Sequence, residues 1–285
     1  MNASCHGKLN KVRQAIENAA VILIGGGAGL SISAGLTYSG ERFTSHFSDF
    51  ISRYGLNDMY SAGFYPFPTQ EEKWAYWSRH IKVNRYDPEP GQVYFDLLRL
   101  VKAKTYFVIT TNVDRQFDKA GFAPEKIFAV QGDYGKNQCA KACHRSLYDN
   151  EDMIRQMVSE QTDCRIPTHL VPKCPRCGGF MEPNLRKDHF FVEDGAWHRA
   201  SSRYQQFVTA LDNKPLVLLE LGVGYNTPTI VKVPFERITG HHPNATLVRI
   251  NIDYPEVSRL NQEKTIAFSQ DIGEIIKALS NLPWQ

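Results

Sequence analysis

The chain begins with a helical pattern that leads directly into a short apolar run. Apolar residues recur every three or four positions, which places them on one face and predicts an amphipathic helix over residues 8–20. Four apolar residues, Val21 to Ile24, follow it and predict a first buried strand. The residues on the apolar face of the helix are Leu9, Val12, Ile16 and Ala19.

Three later runs have the same continuous apolar character. They are "TYFVIT" from Thr105, "PLVLLEL" from Pro215 and "TLVRI" from Thr246. Runs of this length, rich in Val, Ile and Leu, are typical of a parallel sheet that is covered on both faces. A C-terminal helical pattern predicts a helix that covers one face, with Ile272, Ile275, Ile276 and Leu279 turned inward.

Each predicted strand ends in glycine or small polar residues. The first runs into "GGGAG" and the second into "TTNVD", while the third and fourth run into "GVG" at 222–224 and "NID" at 251–253. Ligands of open parallel sheets bind in the crevice beyond the carboxyl ends of the strands. The four strand ends therefore predict one shared cleft.

The 285 residues suffice for one large domain with insertions. We predict an α/β fold, a Rossmann-like doubly wound parallel sheet formed by residues 1–43, 93–137 and 203–285. An aromatic stretch over residues 44–92 predicts an inserted helical lobe, and a segment over 138–202 with five cysteines and several prolines predicts a small inserted module.

The aromatic segment Ser61 to His80, "SAGFYPFPTQEEKWAYWSRH", has two interpretations. It can form a lid or a substrate platform, because loops on rigid scaffolds often carry recognition. It can also form the core of the helical lobe, which is the more common fate of such aromatic residues and the interpretation we favour.

Charge and hydropathy exclude several classes of protein. The formal net charge is only +3, and Lys and Arg do not cluster, which argues against a nucleic-acid-binding protein. The N-terminus lacks a signal-peptide apolar core, and no run of about eighteen apolar residues occurs, which argues against a membrane partner. We therefore expect a cytoplasmic protein.

The six cysteines are expected to be metal ligands or free thiols, since a disulfide framework belongs to secreted chains. Two close pairs stand thirty residues apart, Cys139-x3-Cys143 and Cys174-x2-Cys177. Four thiolates in two such hairpins can surround structural Zn²⁺ tetrahedrally. His144 is the substitute ligand if one cysteine is not used, and Cys5 and Cys164 are expected to be ordinary residues.

The glycine run after the first strand also has two interpretations. Glycines leave backbone N–H groups free to face an anion such as a diphosphate beside a helix N-terminus, or they simply permit a tight strand-to-helix turn. The common dinucleotide fingerprint does not match, because Ile32 occupies the sixth position counted from Gly27. The four glycines are Gly25, Gly26, Gly27 and Gly29.

"GAGLSISAG", "TTNVD", "QGDYG", "GVG" and "NID", in this order from Gly27 onward, resemble the motifs of the sirtuin family of NAD-dependent protein-modifying enzymes. Three departures stand out. Tyr38 replaces an aspartate of the family, with Arg42 as the matching arginine, Thr111 replaces a glutamine, and Gln131 replaces the catalytic histidine. This combination resembles the macrodomain-linked bacterial branch, which implies ADP-ribosylation of lipoylated carrier proteins.

The resemblance implies NAD as co-substrate and assigns roles residue by residue. Asn112, Asp114 and Gln131 are implied as catalytic residues, although Asn112 and Asp114 can also cap a helix and Gln131 can be a loop residue. Four zinc ligands are implied at the two cysteine pairs. The residues implied to bind NAD are Gly27, Ala28, Gly29, Ser31, Tyr38, Arg42, Asn112, Asp114, Gln131, Gly222, Asn251 and Ile272.

The residue at position 131 distinguishes the two reactions of the family, deacylation and transfer of ADP-ribose. A deacylase needs a base near neutral pH, for which histidine is suited, whereas an amide only forms hydrogen bonds. Transfer of ADP-ribose to a protein acceptor needs no such base. After the second cysteine pair the sequence "EPNLRKDHFF" also lacks the Gly-Glu with which the family clamps acyl-lysine peptides.

Three hypotheses follow. The first is an NAD-dependent protein ADP-ribosyltransferase whose acceptor is a lipoyl-bearing carrier protein. The alternative is an NAD-dependent protein-lysine deacylase that tolerates Gln131. A second alternative is a non-catalytic NAD-binding module. The deacylase makes its protein substrate lighter, the transferase makes it heavier, and the module releases no nicotinamide.

Overall fold

The computed structural model describes residues 3–281. The helices in chain order are α1 (Ala3–Asn18), α2 (Ala28–Ser33), α3 (Glu41–Tyr54), α4 (Met59–Ala62), α5 (Gln70–Ile81), α6 (Gln92–Val101), α7 (Gln116–Lys119), α8 (Glu151–Glu160), α9 (Gly195–Thr209), α10 (Lys232–His241) and α11 (Ile272–Asn281). A π-helix spans Lys82–Tyr86, and 3-10 turns span Pro124–Lys126, Thr168–Leu170 and Arg259–Lys264.

The strands are β1 (Val21–Gly26), β2 (Thr105–Thr110), β3 (Ile127–Ala129), β4 (Gly132–Cys139), β5 (Tyr148–Asp149), β6 (Met181–Leu185), β7 (Leu216–Leu221), β8 (Ala245–Ile250) and β9 (Thr265–Phe268). Helices and strands together fold into two compact units. The first unit comprises the chain up to Gly35, Pro90–Gln131 and everything from Ala196 onward, and the second comprises Leu36–Glu89 and Gly132–Gly195. The three-part division drawn from the sequence stays a prediction.

The first unit is built on a six-stranded parallel sheet in the order β3-β2-β1-β7-β8-β9. The prediction of a doubly wound parallel sheet is confirmed. All four predicted strands are present, and β1 runs two residues further than predicted, to Gly26. The edge strands β3 and β9 escaped the sequence analysis because they are short, with three and four residues.

Helices cover both faces of this sheet, since successive residues of a strand point to opposite sides. Ile22 and Ile24 belong to one buried cluster, with side chains of α1, α6 and α11, while Leu23 belongs to another, with side chains of α9 and α10. The predicted amphipathic faces lie in the first cluster. Their buried members include Leu9, Val12, Ile16, Ala19, Ile272, Ile275, Ile276 and Leu279.

The second unit combines helices with a three-stranded antiparallel sheet in the order β5-β4-β6. Its helix α5 begins at a capping box, in which Thr69 accepts from the Glu72 N–H and Glu72 accepts from the Thr69 N–H. The aromatic residues of α5 are buried, as the core interpretation predicts, with Trp74 and Tyr76 fully enclosed. Phe64 differs and is 61% exposed, because it lies beyond the C-terminus of α4.

None of the helices within residues 3–281 is both long and apolar enough to cross a bilayer.

Candidate active site

The four predicted strand ends meet at one edge of the parallel sheet. Strand β1 lies between β2 and β7, and β8 follows β7, all in parallel register. Their carboxyl ends therefore place the glycine loop, "TTNVD", "GVG" and "NID" side by side, as the sequence predicts. This edge belongs entirely to the first unit.

The glycines of the loop permit close backbone packing. A Cβ on Gly27 would lie 2.5 Å from the carbonyl oxygen of Gly222, and one on Gly29 would lie 2.7 Å from its Cα. Gly222 itself has a φ of 62°, in the left-handed region. The loop after β1 and the loop after β7 thus touch backbone to backbone, which only glycine allows.

This packing corrects one expectation. The N–H of Gly27 donates to the carbonyl oxygen of Leu221 at 2.9 Å, and the N–H of Gly29 donates to that of Gly222 at 3.0 Å. These two groups are therefore not free for an anion, and the prediction of free N–H groups is wrong for them. Ala28, between them, is exposed at the start of α2.

A polar cluster joins the loop to the end of β2. The Ser31 hydroxyl donates to Asp114 Oδ2 at 2.5 Å, because a carboxylate only accepts. Its oxygen then accepts from Asn112 Nδ2 at 3.0 Å and from the Tyr94 hydroxyl at 3.0 Å. Asn112 Nδ2 also donates to the Gly27 carbonyl oxygen at 2.9 Å. Both amide hydrogens are thereby committed, so Oδ1 is the side-chain atom with which Asn112 can accept a hydrogen bond.

Only one of these two residues contributes to the start of α7, whose N-cap is Arg115. Asp114 Oδ1 accepts from the N–H of Gln116, the first residue of α7, at 3.0 Å, so its carboxylate serves the turn as well as Ser31. The Asn112 side chain instead reaches the glycine loop. Asp114 is buried, with 6% of its surface exposed, so its negative charge is shielded from bulk water.

Tyr94 is a member of this cluster that the sequence analysis missed. It lies on the buried face of α6, where a tyrosine looks like one more apolar residue. Burial, followed by the nearby Asp114 carboxylate, holds the pKa of Tyr94 well above its usual range. The phenol is therefore a permanent hydrogen-bond donor to Ser31.

On the other side of the edge, Asn251 organises the loop after β8. Its Nδ2 donates to the Val223 carbonyl oxygen at 2.9 Å, and its Oδ1 accepts from the N–H groups of Asp253 and Tyr254, both at 3.1 Å. Asn251 thus serves as the turn residue considered in the sequence analysis, and Ile272 is a core residue, 3% exposed. Their roles as NAD contacts stay predictions.

Gln131 lies in the two-residue turn between β3 and β4 and is half-buried. Its Oε1 atom is fully buried and has no hydrogen-bond partner within the described part of the chain. A buried acceptor without a partner costs about 1–3 kcal/mol. The carboxamide therefore fits a ligand that supplies a hydroxyl or N–H donor.

Tyr38 and Arg42 lie in the second unit. The Arg42 guanidinium donates to the backbone oxygens of Thr37 at 2.8 Å and Val83 at 2.5 Å, and to Asn84 Oδ1 at 2.9 Å. It thereby holds the π-helix, and burial lowers its pKa. The Tyr38 hydroxyl lies 3.0 Å from that of Tyr134. The roles of both residues as NAD contacts stay predictions.

The four predicted metal ligands converge within the second unit. All four Sγ atoms lie within 4.8 Å of one another. The Sγ atoms of Cys139 and Cys177 are 3.7 Å apart, and those of Cys143 and Cys174 are 3.6 Å apart. A tetrahedral Zn²⁺ with bonds of about 2.3 Å requires sulfur separations of about 3.8 Å. The cysteine cluster therefore fits a closed, structural zinc ion.

Backbone N–H groups lower the pKa of two of these thiols, those of Cys139 and Cys174, whereas burial and the neighbouring thiols raise the pKa of Cys143. Burial raises the pKa of Cys139, but N–H groups of Cys143 and Lys141 and the neighbouring thiols outweigh it and lower the pKa to about 7. Thiolates are the form that binds zinc. His144 lies beside the four sulfurs, with Nδ1 3.0 Å from Cys143 Sγ and Nε2 2.8 Å from the Tyr148 hydroxyl.

Comparison with known proteins gives the family. The sequence profile of the Sir2 family matches residues 27–211. A Staphylococcus aureus protein named protein ADP-ribosyltransferase is 42% identical over 266 residues, which cover 93% of this chain and 84% of that protein. A Clostridium perfringens protein named NAD-dependent protein deacetylase is 25% identical over 189 residues, 62% of this chain and 66% of that protein.

The fold has solved counterparts. The crystal structure of a Sir2 homologue in complex with NAD aligns with a TM-score of 0.58 at 16% identity, covering 95% of this chain and 92% of the other. At this identity the likeness concerns the fold. The family profile and the 42% identity confirm the resemblance noted in the motifs, and the chain belongs to the Sir2 family.

Proposed function

We propose that this protein transfers ADP-ribose from NAD to a protein acceptor, with release of nicotinamide, and that the acceptor is a lipoyl-bearing carrier protein. Membership of the Sir2 family makes the chain an NAD-dependent enzyme of sirtuin type. The identity of 42% to a protein named protein ADP-ribosyltransferase supports the transferase among the family's activities.

The observation that carries the proposal is the residue at position 131. A glutamine amide is not a base at neutral pH, so it does not withdraw the proton that deacylation requires. Its buried, unpartnered Oε1 is nevertheless a good acceptor for a hydroxyl hydrogen. Gln131 thus suits an orienting role. Such a role is enough for transfer to a ready nucleophile, but it is not enough for deacylation, which also needs a base.

The other residues of the sheet edge fit the same cofactor. NAD, when bound, supplies the electrophilic ribose carbon and nicotinamide as the leaving group. Asn112 offers Oδ1 to a ribose hydroxyl, because both of its amide hydrogens are committed. Asp114 offers a buried carboxylate, held by Ser31 and the N–H of Gln116, to an amide donor such as the nicotinamide carboxamide.

The acceptor part of the proposal comes from the sequence. "LTYSGERF", "TTNVD" and "QGDYG" match the branch associated with lipoylated carriers. In addition, β6 keeps Pro183 but is followed by "RKDHFF" instead of the peptide-clamping Gly-Glu. A chain without that clamp is better matched to a folded acceptor than to an extended acyl-lysine peptide.

The first experiment is intact-mass spectrometry. A lipoylated carrier protein, the same carrier without lipoate and an acetyl-lysine protein are each incubated with the enzyme and NAD. We expect only the lipoylated carrier to gain one ADP-ribosyl mass. Loss of acetyl groups from the third protein would mean that the deacylase alternative is right, and NAD binding without any mass change or nicotinamide release would favour the non-catalytic module.

Two variants test the role of Gln131. Gln131→Ala removes the orienting amide and is expected to slow the transfer at least about tenfold, a loss of about 1.4 kcal/mol of transition-state stabilisation. Gln156→Ala is the matched control, because this glutamine lies exposed on α8. Equal rates for the two variants would remove Gln131 from the mechanism.

A further inference from the structure

The two hairpins that carry the cysteine pairs also carry four basic residues. Lys141 and Arg145 each lie within two residues of Cys143 in the first hairpin. Lys173 and Arg176 each directly precede a cysteine in the second. Because the four sulfur atoms lie within 4.8 Å of one another, the fold brings these residues, which do not cluster along the sequence, onto one small surface. We call the four residues the basic knuckle.

The basic knuckle faces solvent. In each hairpin the backbone serves the metal site, since the N–H of Lys141 donates to the sulfur of Cys139 and the N–H of Arg176 donates to that of Cys174. The side chains take no part in these bonds, and all four residues of the knuckle are exposed. Their charged groups are therefore accessible to a partner.

The knuckle carries an excess of positive charge. Elsewhere in the second unit, lysines are paired with carboxylates, such as Lys136 with Asp149 at 2.5 Å and Lys187 with Glu182 at 2.9 Å. Within residues 3–281 no ion pair involves any of the four knuckle residues. The nearest acidic residues along the chain, Asp149 and Glu182, are thus already committed to other lysines.

Bound zinc would not cancel this charge. Four thiolates around one Zn²⁺ leave a net negative charge of about two, whereas the knuckle carries about twice that charge with the opposite sign. The segments 139–147 and 171–181, which form the two hairpins, contain no Asp or Glu. Compensation of the metal site therefore accounts for only part of the basic charge.

An acidic face of a folded protein matches this surface best. The guanidinium forks of Arg145 and Arg176 fit carboxylates in a bidentate manner. Single-stranded nucleic acid also needs aromatic faces on which its bases stack. The ring of Phe180, beside the knuckle, is already engaged by the Lys173 ammonium, which lies 3.7 Å from its centroid.

We propose that the basic knuckle docks an acidic face of the protein acceptor. The inference rests on the proposed function, in which the acceptor is a folded carrier. Strand β6 begins at Met181, directly after the second hairpin, and is not followed by the peptide-clamping Gly-Glu. Charges at the rim of an interface chiefly speed association and exclude wrong partners. The knuckle therefore lowers the KM for the acceptor and does not act in the chemical step.

Calorimetry tests the docking separately from catalysis. The carrier without lipoate is titrated into the zinc-loaded, full-length enzyme, because docking on a protein face does not require the lipoyl group. In about 50 mM salt, Arg145→Glu/Arg176→Glu is expected to weaken binding about tenfold. In about 500 mM salt the difference should fall below about twofold, because counterions screen exposed charges.

The matched control is Arg237→Glu/Lys277→Glu. Both residues are exposed on helices of the first unit, and the variant changes the net charge by the same amount. It should bind the carrier as the wild type does. Zinc content and thermal melting check that the knuckle variant is intact. If it loses zinc, Arg145→Gln/Arg176→Gln decides, with an expected weakening of about threefold.

Steady-state kinetics with the lipoylated carrier separates binding from chemistry. The knuckle variant should raise the KM for the carrier about tenfold and leave kcat within about twofold. If its KM and its affinity for the carrier equal those of the control, the inference fails while the proposed function stands. If the carrier binds through the knuckle but gains no ADP-ribose, the docking stands and the proposed function fails. If the carrier is neither bound nor modified, both fail.

A nucleic-acid partner is the remaining outcome to test. Fluorescence anisotropy with a labelled DNA strand of about twenty nucleotides measures it at the same salt concentration. We expect weaker binding than that of the carrier. Tighter binding that is lost in the knuckle variant would assign the surface to nucleic acid and overturn the inference.

Discussion

Burial of His80 predicts a specific loss of stability at acidic pH. An unfolded histidine has a pKa of about 6.5, whereas burial in the fold lowers the pKa of His80 to about 3. Below about pH 6.5 the His80 ring is therefore protonated in the unfolded state but stays neutral in the folded state. As a result, the free energy of unfolding falls. The loss continues until the folded ring is itself protonated, near the lowered pKa.

The magnitude follows from the distance between the working pH and the unfolded pKa. Between about pH 8 and about pH 5 the unfolded ring gains its proton and the folded ring stays neutral. At about 1.4 kcal/mol per pH unit over about one and a half units, His80 alone removes about 2 kcal/mol of folding stability. This value requires only that the folded pKa lies well below 5.

The assay is urea unfolding at the two pH values, followed by tryptophan fluorescence, since Trp74 and Trp77 lie on α5 with His80. His80→Gln removes the titrating ring and should lose about 2 kcal/mol less than the wild type between the two pH values. Tyr134→Phe is the control. It removes a hydrogen bond but keeps the buried ring, so its overall stability falls while its pH dependence stays that of the wild type.

Two results would refute this reasoning. If His80→Gln loses as much stability on acidification as the wild type, His80 does not contribute to the pH dependence. If Tyr134→Phe loses the pH dependence together with His80→Gln, the Tyr134 hydroxyl, and not burial of the ring, keeps His80 neutral.

The remaining predictions concern packing, charge and metal. Gly222→Ala is expected to lower the free energy of unfolding by about 2–5 kcal/mol, because it combines a positive φ with a Cβ 2.5 Å from the Gly29 Cα. Gly35→Ala, with a φ of 90° and no described atom within 4 Å of the added Cβ, should cost only the strain, and equal losses in thermal unfolding would contradict the packing argument. Glu220→Gln removes the carboxylate that lies 2.7 Å from the buried Lys232 and 2.8 Å from Arg249, which keeps its pair with Glu236, and should cost about 3–5 kcal/mol in urea unfolding, chiefly through Lys232. The exposed pair of Glu151 with Arg155 offers the comparison, since Glu151→Gln should change stability by less than about 1 kcal/mol. Chelation of zinc should unfold the cysteine region and open it to limited proteolysis, and a metal-free protein that resists protease as before would contradict the zinc assignment.

The pattern of apolar residues determined the sheet of the first unit. A strand covered on both faces is apolar throughout, so each strand could be predicted from its own apolar run. These runs begin at Val21, Thr105, Pro215 and Thr246. The sequence did not predict their order in the sheet, because parallel pairing joins distant residues, such as Val21 with Thr105, 84 positions away, and with Leu216, 195 positions away. The edge strands β3 and β9 were missed because short segments carry little periodicity.

The zinc ligands were also determined by the sequence, since pairs of cysteines at close spacing have few other uses in a chain of this type. The glycine loop shows the opposite case. Its composition is compatible with free N–H groups or with tight packing. The structure shows tight packing at Gly27 and Gly29, because Gly222 approaches both of them closely.

Hydrogen-bond direction belongs wholly to the tertiary structure. Tyr76 and His80 stand four residues apart on α5, a spacing that brings them together, but nothing in the sequence links them to Tyr134, which is 54 residues from His80 along the chain. Likewise Tyr94 reads as an apolar residue of α6 until the fold brings its hydroxyl to Ser31. The sequence by itself determined which elements form and which motifs they carry, since both depend on local pattern. The tertiary structure decided which polar groups meet, since donors and acceptors pair across long separations.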